Sequence, residues 1–306
     1  MKKVLDLLSN QDRSPFLPKL MRELSDMKIL AAKSLIQSQK ARNEEILNDL
    51  CQAEFKVFSQ WGDDGIIQFL INYLDIPEKT FVEFGVENYT EANTRFLLEN
   101  DNWQGLILDG SEEHMNTVKA DSIYWRHALK AKSAFVTAEN INDLLMSNGF
   151  KGQIGLLHID VDGNDYWIWK AISAVDPVIV IVEYNSLFGN KACWTVPYAP
   201  EFTRTKAHYS NLYWGVSISS LCNLAEEKGY EFIGSNSNGN NAYFVKKDRM
   251  KSLKALSPEQ GYKISRFKEG RDSKGKLTFM DFDERFEQIK GLQVFNTLSQ
   301  EVELIA

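Results

Sequence analysis

Acidic side chains recur in this sequence at the points where short apolar segments end. The positions are Glu83, Asp109, Asp160, Asp162 and Glu183. A carboxylate at the end of a buried strand can hydrogen-bond a ligand hydroxyl, bind a hard cation or accept a proton. If the segments form one sheet, these groups meet at one of its edges and form an acidic site.

The first of these segments ends in Val-Glu-Phe-Gly-Val-Glu-Asn, residues 82–88. Gly85 permits a positive φ or a close approach of another chain segment. Glu87 stands where a G-x-G-x-x-G pattern has its second glycine, and carboxylates there disfavour a dinucleotide pyrophosphate. These charges favour a cationic ligand. The alternative is that Gly85 is an ordinary turn glycine.

Asp109 ends the second segment, residues 103–110. It follows the first segment at a spacing typical of the acidic residue that hydrogen-bonds a ribose. The spacing strengthens the interpretation of the first segment as part of a nucleoside-binding site. The alternative is that the Asp109 side chain caps the next helix.

A third acidic group, His158 to Asp165, reads His-Ile-Asp-Val-Asp-Gly-Asn-Asp and ends the segment 154–163. Another segment, 177–184, also ends in polar residues, and neighbouring parallel strands lie ~4.8 Å apart. Oxygen ligands from both ends therefore suit one Mg²⁺-type cation. The alternative is that Asp165 or Asn164 caps the next helix. The candidate ligands are Asp160, Asp162, Glu183 and Asn185.

A long loop of about thirty residues follows segment 177–184, and loops of that length in compact domains are usually functional. Aromatic, Arg and His side chains in this loop suit a polar ring such as a sugar. Simple packing of each aromatic residue is the alternative. The residues are Trp194, Tyr198, Phe202, Arg204, His208, Tyr209, Tyr213 and Trp214.

Strands and helices alternate through the middle of the chain, which predicts βαβ units and a mostly parallel, doubly wound α/β sheet. The predicted strands are 80–85, 103–110, 131–137, 154–163 and 177–184. The predicted helices are 90–100, 111–120, 138–148, 164–174 and 216–228. A final antiparallel hairpin is predicted from strands 230–234 and 241–246, joined by the turn 235–240.

Two flanking segments differ from this central domain, which we assign to residues 51–248. Residues 1–50 carry apolar residues at helical spacing and predict a helical segment that packs on the core or on another subunit, or covers a site. Residues 249–306 are charged, with thinly spread apolar positions. They predict an arm over the domain with a short helix near 283–290.

Composition is that of an ordinary globular protein of 306 residues, with 43% hydrophobic and 25% charged residues. The net charge of −7 disfavours a nucleic-acid-binding protein. Three widely spaced cysteines form neither a disulfide framework nor a zinc site. Neither a signal peptide nor a membrane span is predicted. A cytoplasmic location is therefore expected.

Six stretches together resemble the FkbM-like family of class I S-adenosylmethionine (SAM)-dependent methyltransferases. The resemblance implies a Rossmann-like sheet of seven strands with a C-terminal antiparallel hairpin. One departure is Glu87, near which related chains often have a second glycine. The stretches are SQWGDDGII (59–67), FVEFGVENYTEANT (81–94), GLILDGS (105–111), FVTAENI (135–141), LHIDVDGNDYW (157–167) and VIVEYN (180–185).

The resemblance also implies roles for individual residues. Glu83 and Gly85 correspond to the first SAM-binding motif, Asp109 binds the ribose, and Phe135 and Val136 approach the adenine. Gln60 and Asp64 close the methionine end. The further cofactor-binding candidates are Asn88, Gly110, Ser111 and Asp160.

The acidic cluster resembles the strand-end ligands of metal-dependent O-methyltransferases, although the same carboxylates can instead organise the amino group of SAM. A divalent ion lowers the pKa of a bound hydroxyl. The base candidates are His208, which lies in the substrate loop, and His158. Asp160 is a third catalytic candidate.

The predicted function is methyl transfer from SAM to a hydroxyl of a sugar or sugar-containing metabolite, with a small molecule or sugar nucleotide as acceptor and Mg²⁺ as a candidate cofactor. An NAD(P)-dependent oxidoreductase is one alternative, since Asp109 serves equally well there. A non-catalytic interaction protein is the other. A homo-oligomer through the N-terminal helices is also expected.

Overall fold

The structure is a computed structural model that describes residues 16–306. Its α-helices are α1 (Phe16–Ala41), α2 (Asn43–Asn48), α3 (Asp63–Tyr73), α4 (Arg95–Asp101), α5 (Glu112–Ala120), α6 (Ser122–Arg126), α7 (Ile141–Ser147), α8 (Asp165–Ala171), α9 (Arg204–Ala207), α10 (Ile218–Lys228), α11 (Pro258–Gly261) and α12 (Phe282–Ile289). Its strands are β1 (Thr80–Phe84), β2 (Gln104–Asp109), β3 (Leu129–Ser133), β4 (Gly152–Ile159), β5 (Val175–Glu183), β6 (Trp194–Thr195), β7 (Tyr230–Ser235), β8 (Asn241–Lys246), β9 (Gln293–Asn296) and β10 (Glu301–Leu304).

The main sheet has seven strands in the order β3-β2-β1-β4-β5-β8-β7. Strands β1 to β5 pair in parallel, and β8 pairs antiparallel with both β5 and β7. Residues 178–182 of β5 are all fully buried, as expected for a strand covered on both faces. The predicted fold class is confirmed: the sheet is Rossmann-like, mostly parallel and seven-stranded, with a C-terminal antiparallel hairpin.

Two apolar cores flank the sheet because alternate strand residues point to opposite faces. Helices α3 to α6 cover one face, for example through Leu70 and Leu97, which pack with Ile107 of β2. Helices α7, α8 and α10 cover the other face, where Trp169 packs with Val180 of β5. Strand β5, which lies between β4 and β8, supplies residues to both cores.

Two predicted boundaries were wrong for a local reason. The helix predicted at 90–100 begins only at Arg95, because the backbone amides of Asn93 and Thr94 donate to the buried Glu83 carboxylate at 2.9 and 3.0 Å. The strand predicted at 131–137 runs instead over Leu129–Ser133. Beyond it, Asn140 donates to the Phe135 carbonyl at 2.9 Å and forms a turn.

The C-terminal region contains the predicted short helix, here α12. It also contains β9 and β10, which join β6 in a three-stranded antiparallel sheet that the sequence did not predict. The four residues of β10 (Glu-Val-Glu-Leu) alternate between polar and apolar, but all four are exposed, and a pattern of only four residues was not recognised as a strand. The predicted arm is therefore a folded layer beside the loop that contains β6.

Helix α1 confirms helical structure in the described part of residues 1–50, while residues 1–15 of that prediction lie outside the described residues. Its inner face contains Ile36 and Gln39, and the Gln39 amide donates to the carbonyls of Ala53 and Gly65 at 2.7 and 2.9 Å. The outer face exposes large apolar side chains. Self-association through α1 and the division into segments 1–50, 51–248 and 249–306 stay predictions. Among the described residues, no helix is long and apolar enough to cross a membrane.

Candidate active site

A cavity of about 530 Å³ lies at the carboxyl ends of β1, β2, β4 and β5. Its position is the one at which doubly wound sheets bind ligands. Nine carboxylate side chains line it and only two guanidinium groups do. The carboxylates belong to Asp63, Glu83, Glu87, Glu91, Asp109, Asp160, Asp162, Glu183 and Glu269, and the guanidinium groups to Arg204 and Arg285.

Glu83 and His158 form a buried pair at the centre of this edge. The Glu83 Oε1 atom lies 2.8 Å from His158 Nδ1, and Glu83 Oε2 accepts from the Thr94 hydroxyl. Burial alone raises the pKa of Glu83, but His158 and Thr94 outweigh it and hold that pKa below its usual value. Burial alone would lower the pKa of His158, but the Glu83 carboxylate raises it above its usual value. His158 Nδ1 is thus paired with Glu83, and its Nε2 lies 3.2 Å from the Asn93 amide nitrogen, so both ring nitrogens are already occupied.

Gly85 brings the loop after β1 against the end of β4. Its φ is +69°, and a Cβ built there would lie 1.7 Å from the Asp160 carbonyl oxygen. A glycine is therefore required on both conformational and steric grounds. The close approach places Gly85 and Asp160 on the same wall of the cavity.

Asp109 lies in the cavity wall at the end of β2 and orders the loop opposite it. Its Oδ2 accepts from the backbone amide of Glu87 at 2.8 Å, and its Oδ1 accepts from that of Ser111 at 2.8 Å. The cap of α5 is Ser111, whose hydroxyl accepts from the His114 amide at 3.2 Å. Ser111 rather than Asp109 therefore caps α5, and the Asp109 side chain lies in the cavity wall.

The other predicted cofactor residues divide into two groups. Gln60, Gly110, Phe135 and Val136 line the cavity, as Gly85 and Asp109 do. Asn88 and Ser111 do not line it, since Asn88 Oδ1 accepts from the Thr90 amide at 3.1 Å and Ser111 caps α5.

Asp64 is also directed away from the cavity. Its Oδ2 accepts from the backbone amides of Val57, Phe58 and Ser59 at 2.7, 2.8 and 2.7 Å. Burial raises the pKa of Asp64 to about 6. The neighbouring Asp63, which the sequence analysis did not single out, lines the cavity instead.

Three of the four predicted metal ligands meet. Oxygen atoms of Asp160, Asp162 and Glu183 lie within 4.8 Å of one another. Burial raises the pKa of Glu183 well above its usual value, and the Asp160 carboxylate adds to that rise. Burial and the Asp162 carboxylate raise the pKa of Asp160 to about 7. Like charges this close require a proton or a cation between them.

Asn185, the fourth predicted ligand, lines the cavity but uses its side chain elsewhere. Its amide nitrogen donates to the carbonyls of Leu212 and Trp214 at 3.0 and 2.9 Å, and its Oδ1 accepts from the Leu187 amide at 3.0 Å. Asn185 therefore holds the long loop in place. Glu183 Oε2, by contrast, is buried without a hydrogen-bond partner among the described residues.

Arg204 joins the long loop to the C-terminal region. Its guanidinium lies 3.0 Å from an Asp162 oxygen and 3.2 Å from a Glu269 oxygen. It also stacks on Trp214 and Phe267, at 5.0 and 5.9 Å from the ring centres. This cation thus fixes one wall of the cavity through two carboxylates and two aromatic rings.

The remaining predicted loop residues divide in the same way. Phe202 and Trp214 line the cavity. His208 does not line it: its Nδ1 lies 2.7 Å from Ser210 Oγ, and its ring packs on Tyr209. Trp194, Tyr198, Tyr209 and Tyr213 hydrogen-bond to other segments, as the packing alternative expected.

Residues 262–270, here called the strap, cross the cavity; they belong to the predicted C-terminal arm, whose path could not be derived from the sequence. Tyr262 donates to the Ser186 carbonyl at 2.7 Å, and the buried Arg285 of α12 donates to the Phe267 carbonyl at 2.5 Å. Ser265, Phe267 and Glu269 line the cavity. Only a long-range contact places the strap there, and local sequence patterns carry no such signal.

No family model matches this chain, and no curated protein sequence matches it. Solved structures with a similar arrangement include the N-terminal domain of EvdMO1 with SAH (S-adenosylhomocysteine) bound, which is 13% identical over 54% of this chain and 72% of that one, with a TM-score of 0.36.

The O-methyltransferase from Bacillus cereus in complex with SAH is 14% identical over 80% of this chain and 96% of that one, with a TM-score of 0.38. The DszA carbon methyltransferase is 13% identical over 64% and 54%, also with a TM-score of 0.38. Two of these neighbours are described as methyltransferases, one of oxygen and one of carbon, and two were solved with SAH. At these scores the likeness assigns no residue a role, so the site is interpreted from its own geometry.

Proposed function

We propose that this protein is a SAM-dependent O-methyltransferase of the FkbM-like type, whose acceptor is a hydroxyl of a sugar or sugar-containing metabolite. The main support for the proposal is the acidic lining of the cavity, which has nine carboxylates and only two guanidinium groups. SAM is a sulfonium cation, whereas a nicotinamide dinucleotide brings a pyrophosphate that such an edge repels. The charge therefore favours SAM over the oxidoreductase alternative.

The cofactor half of the cavity lies over β1 and β2. We assign the ribose hydroxyls to Asp109, which lines the cavity, while Gly85 lets the loop after β1 approach the Asp160 backbone closely. Gly110, Phe135 and Val136 offer a small and apolar surface for a flat base. Glu83 acts indirectly, because its carboxylate is already bonded to His158, Asn93 and Thr94.

The acceptor half lies over β4 and β5. SAM supplies an electrophilic methyl group, and methyl transfer needs the acceptor oxygen held in line with it. We assign proton acceptance from the hydroxyl to Asp160, which lines the cavity between the two halves. His158 is paired with Glu83, and His208 does not line the cavity, so we assign neither histidine as the base.

A divalent cation fits the same place. Asp160, Asp162 and Glu183 would hold it, and the unpartnered Glu183 Oε2 supports an additional ligand there. Hard oxygen donors of this kind suit Mg²⁺, which would lower the pKa of an acceptor hydroxyl. Asn185 is left out of this ligand set, since its side-chain oxygen accepts from the Leu187 amide.

Calorimetry of SAH binding, with and without Mg²⁺, tests the proposal. The wild type is expected to bind SAH with micromolar affinity, and Asp109→Ala to weaken binding at least about tenfold, since a charge-assisted hydrogen bond is lost. Asp143→Ala, at an exposed position of α7, is the matched control and keeps wild-type affinity.

Three results would count against the proposal. Unchanged SAH affinity in Asp109→Ala refutes the ribose assignment. NAD(P) binding without SAH binding supports the oxidoreductase. Binding of neither supports a non-catalytic interaction protein.

A further inference from the structure

Asparagines of the turn between β7 and β8, together with Asn241 at the start of β8, form a network anchored on Asp63. The Asp63 Oδ1 atom accepts from the side-chain amides of Asn236 and Asn241, at 3.0 Å each, and from the Tyr243 hydroxyl. A carboxylate of this kind accepts hydrogen bonds. The amide nitrogen of Asn241 therefore faces Asp63, and its oxygen faces the other way.

The orientation of Asn238 is fixed by the same chain of contacts. Asn236 Oδ1 accepts from the backbone amides of Gly239, Asn240 and Asn241 at 3.0, 3.2 and 3.3 Å, so its nitrogen is the remaining donor. That nitrogen and the Asn238 amide nitrogen both donate to Asn240 Oδ1 at 3.0 Å. The Asn238 oxygen is thereby left pointing away from the network.

The network ends at two acceptor atoms. Asn238 Oδ1 and Asn241 Oδ1 are buried and have no hydrogen-bond donor among the described residues. Both residues are only 3% exposed, and both line the cavity. A buried acceptor without a donor destabilises the protein, so these atoms mark a place that requires donors from outside the fold.

We propose that Asn238 and Asn241 recognise the methyl-acceptor substrate. Their side-chain oxygens would accept hydrogen bonds from hydroxyl groups of a polyhydroxylated ring. The inference rests on the proposed function and names residues that select the substrate. Strand β8 pairs with β5 on the side away from β4. The turn therefore lies on the far side of Glu183 from the cofactor half of the cavity, where an acceptor extends.

The chemistry of the turn favours hydroxyl groups over a metal ion. Asp63 already receives three hydrogen bonds, so the free atoms are neutral amide oxygens, whereas a divalent cation is bound chiefly through carboxylates. Trp214 and Phe267 line the same cavity and give apolar surface for the C–H faces of a ring. A few oriented polar atoms beside apolar walls are typical of small-molecule sites.

Leucine variants of both asparagines test the proposal, because leucine removes the oxygen at similar volume. Asn223→Leu is the matched control: this half-buried asparagine of α10 donates to Cys193 Sγ and does not line the cavity. The probes are the methyl glycosides of glucose, galactose, mannose and fucose, with 2-methoxytetrahydropyran as the analogue without hydroxyl groups. Each is titrated by NMR into SAH-loaded protein, and SAH affinity is measured separately.

At least one glycoside is expected to bind the wild type and Asn223→Leu, while the analogue without hydroxyl groups does not bind. Asn238→Leu and Asn241→Leu each lower the affinity for that glycoside about tenfold and leave the affinity for SAH unchanged. Asn238→Leu loses only the bond to Asn240, so it carries the test if Asn241→Leu fails to fold.

Two outcomes overturn the inference. One is a glycoside that binds both leucine variants as tightly as the wild type, in which case the two oxygens bind only water. The other is SAH-loaded wild type that binds none of the four glycosides. Wild type that fails to bind SAH refutes the proposed function instead, and the two failures are thus distinguished.

Discussion

At the scale of single residues, Gly85 shows how tightly the site is built. Gly85→Ala combines an unfavourable φ of +69° with a Cβ 1.7 Å from the Asp160 carbonyl oxygen. We expect a loss of at least about 3 kcal/mol in the free energy of unfolding, because strain and overpacking add.

A second glycine separates these two effects. Gly152 has the same φ of +69° but no atom within 4 Å of an added Cβ. Gly152→Ala should therefore lose only about 1 kcal/mol, the cost of strain alone. Urea denaturation measures both variants, and equal losses would show that the contact with Asp160 is unimportant.

Asp160 is expected to affect turnover rather than cofactor binding. In Asp160→Asn the side chain keeps its size but cannot accept the proton of the acceptor hydroxyl. We expect kcat to fall at least about a hundredfold, the usual contribution of a general base, with SAH affinity changed less than about threefold. Steady-state kinetics and calorimetry give the two numbers. Wild-type kcat in this variant would remove Asp160 from the mechanism.

The sequence identified residues that line the cavity because they lie at or just beyond strand ends. Glu83, Asp109, Asp160 and Glu183 all line the cavity, as expected from a parallel sheet. It could not tell Asp63 from Asp64, because the two are neighbours at the start of α3 and only tertiary packing decides which one lines the cavity. The turn asparagines were predicted as a turn, while their hydrogen-bond network depends on Asp63, far away in the chain.

At the scale of elements, Arg204 ties the long loop to the strap. In Arg204→Met the contacts with Asp162 and Glu269 are lost, while the side chain still covers Trp214. We expect faster amide hydrogen exchange in residues 263–270 and a several-fold higher KM for the acceptor. SAH affinity should not change, because the strap lies over the acceptor half.

Arg42→Met is the control for this prediction. Arg42 forms an exposed ion pair with Glu45, three residues away, and such pairs contribute little. Exchange in the strap should be unaffected there. If Arg204→Met also leaves exchange in residues 263–270 at the wild-type rate, Arg204 does not hold the strap.

Elements with a strong periodic pattern were predictable, and those stabilised by distant contacts were not. Strands β1, β2, β4 and β5 and the β7–β8 hairpin follow from apolar runs bounded by turn residues. Strand β6 is only two residues long and pairs with β9, about a hundred residues later. No local pattern of that length specifies a strand.

At the scale of the whole molecule, several buried acids bind protons more tightly in the folded protein. Burial raises the pKa of Asp165 to about 6, as it does that of Asp64, and the pKa of Asp160 rises to about 7. A group whose pKa is raised in the folded protein stabilises the fold fully at pH values below its unfolded-state pKa, which is near 4 for these acids. This stabilisation is lost as the pH rises through the folded-state pKa. His158, with its raised pKa, acts in the same direction.

The metal-free protein should therefore be more stable at pH 5.5 than at pH 8.0, by at least about 2 kcal/mol. Glu83 has a lowered pKa and acts oppositely, but its contribution is lost only as pH falls below its ordinary value of 4.5. Urea denaturation in the presence of a chelator measures the difference, which should shrink in Asp64→Asn. Stability that increases from pH 5.5 to pH 8.0 would contradict the assignment of these pKa shifts.

Strand β6 and the C-terminal strands have a consequence for engineering. Tyr209 and Tyr213 of the long loop hydrogen-bond to Gln288 and Gln293, and β6 pairs with β9. Two stretches distant in the chain, the long loop and the C-terminal region, are thus joined beside the cavity. In a chimera that grafts only residues 186–214 from another protein, the foreign loop would lack its own C-terminal partners. Residues 186–214 and the C-terminal region should therefore be exchanged together.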